Sequence, residues 1–268
     1  MNQNSSYYFL LGGNDAEMEA IRGLLDDHGY DYEDKSLGWG AKASSYLTTI
    51  ETLLSAGKKV FLVELEPDLP PSILEQVQFV DHHNEKAGKD APCSLQQTAE
   101  IIGVSPTEFA ANRFWQLIAA NDTAHIRGMR SLRPPATDKE ILSIRKLDLE
   151  CQGTTKTDFE QAKLAINSRR EQAGGGLTTV QISSDRTSLI AEVMEPFFSG
   201  PGFQNLLVVG ETEVAFFGAG SLVAILIDHS PPSPASWSGG ALPEFGFWGA
   251  VKSSLGFDPV ELLLSELS

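Results

Sequence analysis

The chain has 268 residues, 41% of them hydrophobic, which suffices for one large domain or two modest domains with an apolar core. Its formal net charge of −16 argues against a protein that coats long nucleic acid, because non-specific binding to phosphates needs a basic surface. No run of about 18 apolar residues is present, and Cys93 and Cys151 lie far apart in the sequence. A membrane span and a thiolate metal site are therefore disfavoured, and a reducing cytoplasm is expected.

Strand and helix patterns alternate through the first half of the chain. The amino terminus lacks the basic leader of a signal peptide, and YYFLLGG is predicted to be a strand that ends in a glycine turn. Strands are predicted over 7–13, 58–66 and the end of 73–81, and helices over 15–29, 44–57, 94–103 and 106–122. This alternation predicts an α/β fold with a doubly wound, mostly parallel sheet.

The second half is predicted to form a connection and a smaller α/β block. Polar, helical sequence over 124–172 indicates a connecting region. A strand over 178–184 and a helix over 189–198 follow. Three strands, NLLVVG, EVAFFGA and LVAILID, are predicted within 205–228, and a terminal helix closes the chain.

Acidic side chains follow several of the predicted strands. Asp15 and Glu17 come after the first strand, Glu64 lies near the end of the second, and Asp122 ends a helical run. Ligands of open α/β sheets collect at the carboxyl ends of the strands, and carboxylates crowded there repel one another unless a cation lies among them. Taken singly, each acid is equally well explained as a helix cap or a solvated loop residue.

The segment FVDHHNEKAG places Asp81, His82 and His83 directly after a predicted buried strand. The chain has only five histidines, so this pair is its strongest local signal, although two adjacent histidines are also compatible with a surface turn. Carboxylate oxygens combined with imidazole suit Mn²⁺ or Mg²⁺ better than a softer metal. Two such ions can clamp a phosphoryl group and generate hydroxide at neutral pH.

These residues resemble the DHH phosphoesterase superfamily, over about residues 7–130 with a weaker similarity after 175. Asp81, His82 and His83 match its third motif, and Asp122 with Thr123 in AANDTAH matches its fourth. The resemblance implies a DHH-type domain over 1–135, a helical connector over 136–174 and a DHHA1-like α/β domain over 175–268. It also implies hydrolysis of phosphodiesters, short oligonucleotides, cyclic dinucleotides or pyrophosphate with one or two Mn²⁺ or Mg²⁺ ions.

The first two motifs depart from the family pattern. The family's His-x-x-x-Asp-x-Asp aligns with Leu11, Asp15 and Glu17, so the histidine ligand is missing and one aspartate is replaced by the longer glutamate. Glu64 stands at the aspartate of the second motif, with Glu66 and Asp68 as further candidates. One metal site of the family is therefore short of a ligand, and one site is more readily intact than two.

The resemblance assigns roles to individual residues. It implies a metal-ligand set of Asp15, Glu17, Glu64, Asp81, His82 and Asp122. The complete site draws on Glu17, Glu64, His82 and Asp122. Asp81 would act as a ligand or would orient His82, and His83 would donate to the substrate phosphate. Asp81, His82 and His83 are thus the expected catalytic group.

The remaining candidates concern substrate binding. Gly239 and Gly240 in WSGGALPEFGFWG would let backbone N–H groups approach an anion, or they form a plain turn. Arg127 begins a stripe of basic residues, continued by Arg130 and Arg133, that could hold phosphate. If the helix that contains Asp122 continues, His125 shares its face and could replace the missing imidazole, although an exposed helical histidine is the simpler interpretation.

The sequence therefore predicts a metal-dependent phosphohydrolase that acts on a small phosphorylated molecule such as a nucleotide. The alternative is a catalytically inactive DHH-like protein that binds a nucleotide or a protein partner in a regulatory role. A dinucleotide-binding oxidoreductase is disfavoured because GGNDAE is not a complete G-x-G-x-x-G turn. The expected partner is a small phosphorylated ligand, with neither long nucleic acid nor membrane, and a homodimer is compatible with the sequence.

Overall fold

The computed structural model describes residues 6–38, 40–88 and 90–268. The chain forms two compact units, one within residues 1–82 and 91–153 and the other within residues 83–90 and 154–268. The second unit therefore includes the short segment that follows His82. In the described part of the chain, no helix combines the length and apolar character needed to cross a membrane.

The first unit contains a four-stranded parallel sheet. Its elements are β1 (Tyr7–Leu11), α1 (Ala16–His28), β2 (Asp31–Asp34), α2 (Leu47–Ser55), β3 (Lys59–Val63), α3 (Pro71–Leu74), β4 (Gln78–Val80), α4 (Ser94–Ile101), α5 (Pro106–Ala111), α6 (Arg113–Ser131) and α7 (Asp138–Cys151). The strand order is β2-β1-β3-β4, and every pairing is parallel. The prediction of an α/β fold with a parallel sheet is confirmed.

Both faces of this sheet are buried. Leu10 and Leu62 pack in one cluster with Ile50 of α2. Phe9 and Phe61, one residue away on the same strands, stack at 4.8 Å between ring centroids. Because successive side chains of a strand point to opposite faces, the two pairs lie on different sides of the sheet. Continuous apolar strands such as KVFLV are typical of a sheet covered on both faces.

Two details of the first unit differ from the sequence prediction. The strand β2 was missed because its sequence, DYED, is short and acidic and its residues are partly exposed. The helix predicted over 106–122 is two helices, because Asn112 has an extended backbone and its side chain accepts a hydrogen bond from the Trp115 amide at 3.2 Å. With its own N-cap at this point, α6 begins as a separate helix.

The second unit is built around a six-stranded mixed sheet. Its elements are α8 (Lys156–Ala165), β5 (Arg170–Gln172), β6 (Leu177–Gln181), α9 (Thr187–Met194), β7 (Leu206–Val209), β8 (Glu213–Ala219), α10 (Gly220–His229), β9 (Ser236–Gly239), β10 (Phe245–Val251) and α11 (Pro259–Leu267). The strand order is β5-β6-β7-β8-β10-β9, in which only β6 and β7 pair in parallel. The polar connection predicted over 136–174 contributes α7 to the first unit and α8 to the second.

The prediction of a strand at LVAILID is wrong, because these residues belong to helix α10. Leu222, Val223 and Leu226 are its buried apolar residues, at the spacing of one helical face. A short apolar run of this kind does not distinguish a buried strand from a buried helix. The glycine-rich segment that follows is a hairpin, in which Gly239 ends β9 and Gly240 has a φ of 98° that favours glycine.

Candidate metal centre

The carboxyl ends of the four parallel strands are aligned at one edge of the sheet. Leu11, the last residue of β1, pairs with Asp34 of β2 and with Val63 of β3, and Val63 pairs with Val80 of β4. The residues that follow β1, β3 and β4 therefore leave the sheet at the same level. This is the edge at which open α/β sheets bind their ligands.

Glu64 is fixed at this edge by an unusual backbone. It follows β3 directly, its amide donates to the Val80 carbonyl at 2.9 Å, and its φ of 51° lies in the left-handed region. Gly12, which follows β1, passes so close that a Cβ atom there would lie 2.1 Å from the Glu64 carbonyl oxygen. Non-glycine residues rarely adopt a positive φ, and such residues cluster at functional sites.

Glu17 is a buried carboxylate at the start of two helices. It occupies the first turn of α1, is 2% exposed, and accepts a hydrogen bond through Oε1 from the amide of Leu95 in the first turn of α4 at 2.8 Å. The positive ends of both helix dipoles favour its negative form. The Oε2 atom is buried and accepts no hydrogen bond from the described residues.

The Nε2 atom of His82 is the meeting point of three carboxylates. It lies 2.9 Å from Oδ2 of Asp122, 3.5 Å from Oε1 of Glu64 and 3.6 Å from Oε2 of Glu17. All four side chains are mostly or fully buried. Ligand atoms of Glu17, His82 and Asp122 lie within 4.8 Å of one another. We call Glu17, Glu64, His82 and Asp122 the carboxylate–histidine cluster.

Burial and the mutual charges of the cluster shift the pKa values of two of its members, His82 and Glu17. Burial alone would lower the pKa of His82, but the charges and hydrogen bonds of Asp122, Glu64 and Glu17 outweigh it and raise the pKa to about 12. Burial first, and then the charge of Asp122, raise the pKa of Glu17 well above its usual range. The Glu17 carboxyl group therefore tends to retain its proton unless a cation compensates its charge.

The cluster fits a hard divalent cation. At a ligand distance of about 2.1 Å, neighbouring ligands of an octahedral ion are roughly 3 Å apart. The distances of 2.9 to 3.6 Å from His82 to the three carboxylate oxygens are close to this spacing. Carboxylate oxygens and one imidazole nitrogen are the donors that suit Mn²⁺ or Mg²⁺. The four residues of the cluster are thus the ones that would hold the ion.

Asp15 caps a helix and interacts electrostatically with members of the cluster. It is the N-cap of α1, and its Oδ1 accepts from the Met18 amide at 2.8 Å. Burial first, and then the charges of Glu64 and Asp122, raise the pKa of Asp15 well above its usual range. Leu11 is fully buried, and its carbonyl accepts from the Tyr46 hydroxyl at 2.6 Å. The position therefore supplies no side-chain ligand.

The other acidic candidates have different surroundings. The main-chain oxygen of Asp81 accepts from the Gln97 side chain at 3.0 Å, and Asp81 is not among the residues whose ligand atoms converge with those of Glu17 and Asp122. Asp68 accepts hydrogen bonds from both the amide and the hydroxyl of Ser44. Of these two acidic candidates, Glu64 lies beside His82, and Asp68 is hydrogen-bonded to Ser44.

The condition for the His125 prediction is not met. Helix α6 is interrupted two residues after Asp122, where Ala124 and His125 have non-helical backbones, and the φ of His125 is 53°. Helical spacing therefore does not place His125 on the face of Asp122. In the basic stripe, Arg130 pairs with Asp138, and Arg127 is an exposed residue of α6.

His83 belongs to the second unit, where it packs on the β9–β10 hairpin. Its ring centroid is 6.4 Å from that of Phe247, and a Cβ atom at Gly239 would lie 3.3 Å from its Cδ2 atom. Asn84 has a φ of 54°, and its Oδ1 accepts from the Ser238 amide at 3.0 Å. His83 and Gly239 are thus neighbours, and their role with substrate stays a prediction.

Sequence reasoning missed several buried polar residues close to the cluster. The Cys93 thiol lies beside Glu17, and burial, followed by the charge of Asp122, raises its pKa to about 12. Asn121, Arg145 and Asp148 form a buried hydrogen-bonded group on α6 and α7. No local sequence signal indicates that Arg145 and Asp148 are buried, because the polar sequence of α7 is typical of a solvated connector.

Fold and cluster together define an α/β protein with a candidate centre for a divalent ion. No protein-family model matches the chain, and no curated protein matches it. Among solved structures, RecJ in complex with Mn²⁺ from Thermus thermophilus is similar at 11% identity and a TM-score of 0.46. That match covers 97% of this chain and 52% of RecJ, so the chain spans about half the length of that relative.

Two further structures are similar over almost their whole length. The pGpG-specific phosphodiesterase PggH from Vibrio cholerae has 11% identity and a TM-score of 0.35, with 97% of this chain and 98% of that chain covered. An exopolyphosphatase-related protein from Bacteroides fragilis has 8% identity and a TM-score of 0.42, with 98% and 92% covered.

Proposed function

We propose that this chain is a metal-dependent phosphohydrolase that acts on a small phosphorylated molecule, such as a nucleotide. The observation that carries the proposal is the convergence of three buried carboxylates on Nε2 of His82 at the carboxyl edge of a parallel sheet. Burying like charges together is costly without a compensating cation, so the arrangement calls for one. When bound, such an ion lowers the pKa of water and offsets charge on phosphoryl oxygens.

The residues of the cluster have distinct tasks in this proposal. Glu17, Glu64, His82 and Asp122 hold the ion, and the Leu95 amide orients the Glu17 carboxylate through Oε1 so that Oε2 faces His82. His82 must release the proton from Nε2 before that atom can act as a ligand. The buried Leu11 leaves the neighbouring position without a ligand, which supports one ion rather than two.

In the second unit, His83 and the glycine pair are the proposed contacts to an anion. Gly239 lies against the rings of His83 and Phe247, and Gly240 has a φ of 98°, which glycine adopts readily and other residues rarely do. Backbone N–H groups in such turns bind phosphate oxygens. Arg127, exposed on α6, is the proposed cationic contact within the first unit.

A second candidate function is a binding protein without turnover. Two features favour it: Leu11 stands where the family has a histidine, and Glu17 and Glu64 replace shorter aspartates. An extra methylene moves each carboxylate, and an error of about 1 Å in a catalytic arrangement can reduce rates by roughly a hundredfold. In this case the chain binds the ion and the nucleotide and releases no product.

The test combines metal binding with hydrolysis. Mn²⁺ is titrated calorimetrically into the full chain, and release from bis-p-nitrophenyl phosphate, pyrophosphate and dinucleotides is followed with Mn²⁺ present. We expect binding by the wild type, loss of binding and turnover in His82→Ala, and no change in His229→Ala. His229 is a matched control, because it is exposed in the second unit, where its Nδ1 lies 2.8 Å from the Ile225 carbonyl and its ring centroid 5.8 Å from that of Phe257.

The outcomes separate the candidates. Binding with turnover supports the hydrolase, and binding without turnover on any substrate supports the binding protein. A wild type that binds no Mn²⁺ refutes both forms of the proposal.

A further inference from the structure

A buried polar network lies on α6, the helix that carries Asp122 of the carboxylate–histidine cluster, and on α7. Asn121 of α6 and Arg145 and Asp148 of α7 are only 7%, 6% and 6% exposed. Arginine and aspartate are almost never so deeply buried unless they are paired. The network therefore needs a reason beyond filling space.

Its contacts join two separate parts of the chain. Arg145 donates through Nη1 to Oδ1 of Asn121 at 2.9 Å and to Oδ2 of Asp148 at 2.8 Å. Oδ1 of Asp148 accepts from the Ala16 amide at 3.1 Å, and its Oδ2 also accepts from the Gln152 side chain at 3.0 Å. One ion pair thus ties α7 both to the first turn of α1 and to the middle of α6.

Both attachment points are next to members of the cluster. Ala16 precedes Glu17, and Asn121 precedes Asp122. We propose that Arg145 and Asp148 are positioning residues of the metal centre, which hold the Glu17 and Asp122 segments at the spacing that a divalent ion requires. The proposal rests on the metal centre of the proposed function, and neither residue is expected to touch the ion or the substrate.

The physical reason is the repulsion within the cluster. Negative charges on Glu17 and Asp122 would repel each other, because both carboxyl groups lie beside the same atom, Nε2 of His82. Segments that were free to relax would move apart, and metal binding would then have to bring them back. A fixed connection through α7 removes that reorganisation, as partners behind metal ligands commonly do.

Stability alone does not account for the pair. A buried ion pair loses so much hydration that apolar residues of similar volume are often as stabilising or more so. The pair has the geometry expected of a positioning device, since each charged side chain makes at least two hydrogen bonds and these bonds reach different helices. The inference therefore predicts that stability and metal affinity can be separated by mutation.

The test replaces the pair with apolar residues, in Arg145→Met combined with Asp148→Leu. Mn²⁺ affinity is measured by titration calorimetry, and the melting temperature of the metal-free protein is measured by circular dichroism. We expect a melting temperature near that of the wild type and an affinity for Mn²⁺ that is about 10- to 100-fold weaker. Arg113→Met is the matched control, since Arg113 pairs with Glu140 and also joins α6 to α7, but at a partly exposed place away from the cluster.

The controls decide between the explanations. Arg113→Met should bind Mn²⁺ as the wild type does. If the double variant does not fold, Arg145→Lys keeps the charge but loses the planar fork of donors, and it should weaken Mn²⁺ binding without changing its stoichiometry. Suppose that the wild type binds Mn²⁺ and that a folded double variant, or Arg145→Lys, binds it with an affinity within twofold of the wild type. That result would overturn this inference and leave the proposed function standing. A wild type that binds no Mn²⁺ overturns the proposed function and this inference with it.

Discussion

Substituting Gly12 tests whether the end of β1 holds Glu64 in place. In Gly12→Ala, the new Cβ atom would lie 2.1 Å from the Glu64 carbonyl oxygen and 2.7 Å from that of Val63. Carbon and oxygen atoms in contact are normally about 3.3 Å apart or more, so one of the two segments must move by roughly 1 Å. The obstructing atoms belong to the main chain, which cannot turn away as a side chain would.

We expect Gly12→Ala to destabilise the protein by about 1–3 kcal/mol, the usual cost of forcing extra volume into a packed interior. Gly23→Ala is the matched control and should have the opposite sign. Gly23 lies inside α1, and a Cβ atom there would meet nothing within 4 Å. Alanine in a helix interior should therefore stabilise the protein by about 0.5–1 kcal/mol.

The assay is urea unfolding of the metal-free variants, followed by calorimetric titration with Mn²⁺. Because the displaced residue is Glu64, Gly12→Ala should also weaken Mn²⁺ binding, while Gly23→Ala should leave it unchanged. If Gly12→Ala unfolds at the same urea concentration as the wild type, the close approach of β1 to Glu64 is not a constraint and the reasoning fails.

Asn84, the titrating groups of the cluster and Leu11 each give a further prediction. Asn84→Ala should be less stable to urea than Asn84→Gly, because both lose the acceptor for the Ser238 amide but only alanine strains at a φ of 54°; equal stability of the two would contradict this. Mn²⁺ binding should release protons and strengthen as the pH rises, because the raised pKa of Glu17 and the pKa of about 12 for His82 make protons compete with the ion. Calorimetric enthalpies that are identical in PIPES and Tris would argue against that release. The wild type should bind one Mn²⁺ per chain, because Leu11 supplies no ligand, and a calorimetric stoichiometry of two would refute this.

The sequence predicted the cluster because its members mark the ends of recognisable elements. Glu64 follows an apolar strand, His82 lies in a rare histidine pair, and Glu17 begins an amphipathic helix. Parallel pairing then brings the strand ends together, whatever the details of the loops. The residues grouped as the complete site, Glu17, Glu64, His82 and Asp122, are those that the structure brings together around Nε2 of His82.

What the sequence did not predict depends on long-range packing. The run LVAILID forms a helix in which Leu222, Val223 and Leu226 are buried, but a short and almost wholly apolar run does not show from the sequence which of its residues face the core. Arg145 and Asp148 lie in a polar helix whose composition is typical of solvent exposure, yet they are buried against α1 and α6. Helix α6 is likewise interrupted at Ala124 and His125, neither of which is the Pro or Gly that would predict a break from the sequence.

The role of His82 explains how one cluster can serve both with and without an ion. In the metal-free protein its raised pKa keeps the imidazole charged, so it supplies the positive charge that Asp122, Glu64 and Glu17 require. In the proposed metal-bound protein the cation takes over that charge, and the imidazole gives up its proton and becomes a ligand. The same nitrogen therefore serves the cluster in both states, as a charged donor to the carboxylates without the ion and as a ligand with it, and ion binding is coupled to proton release.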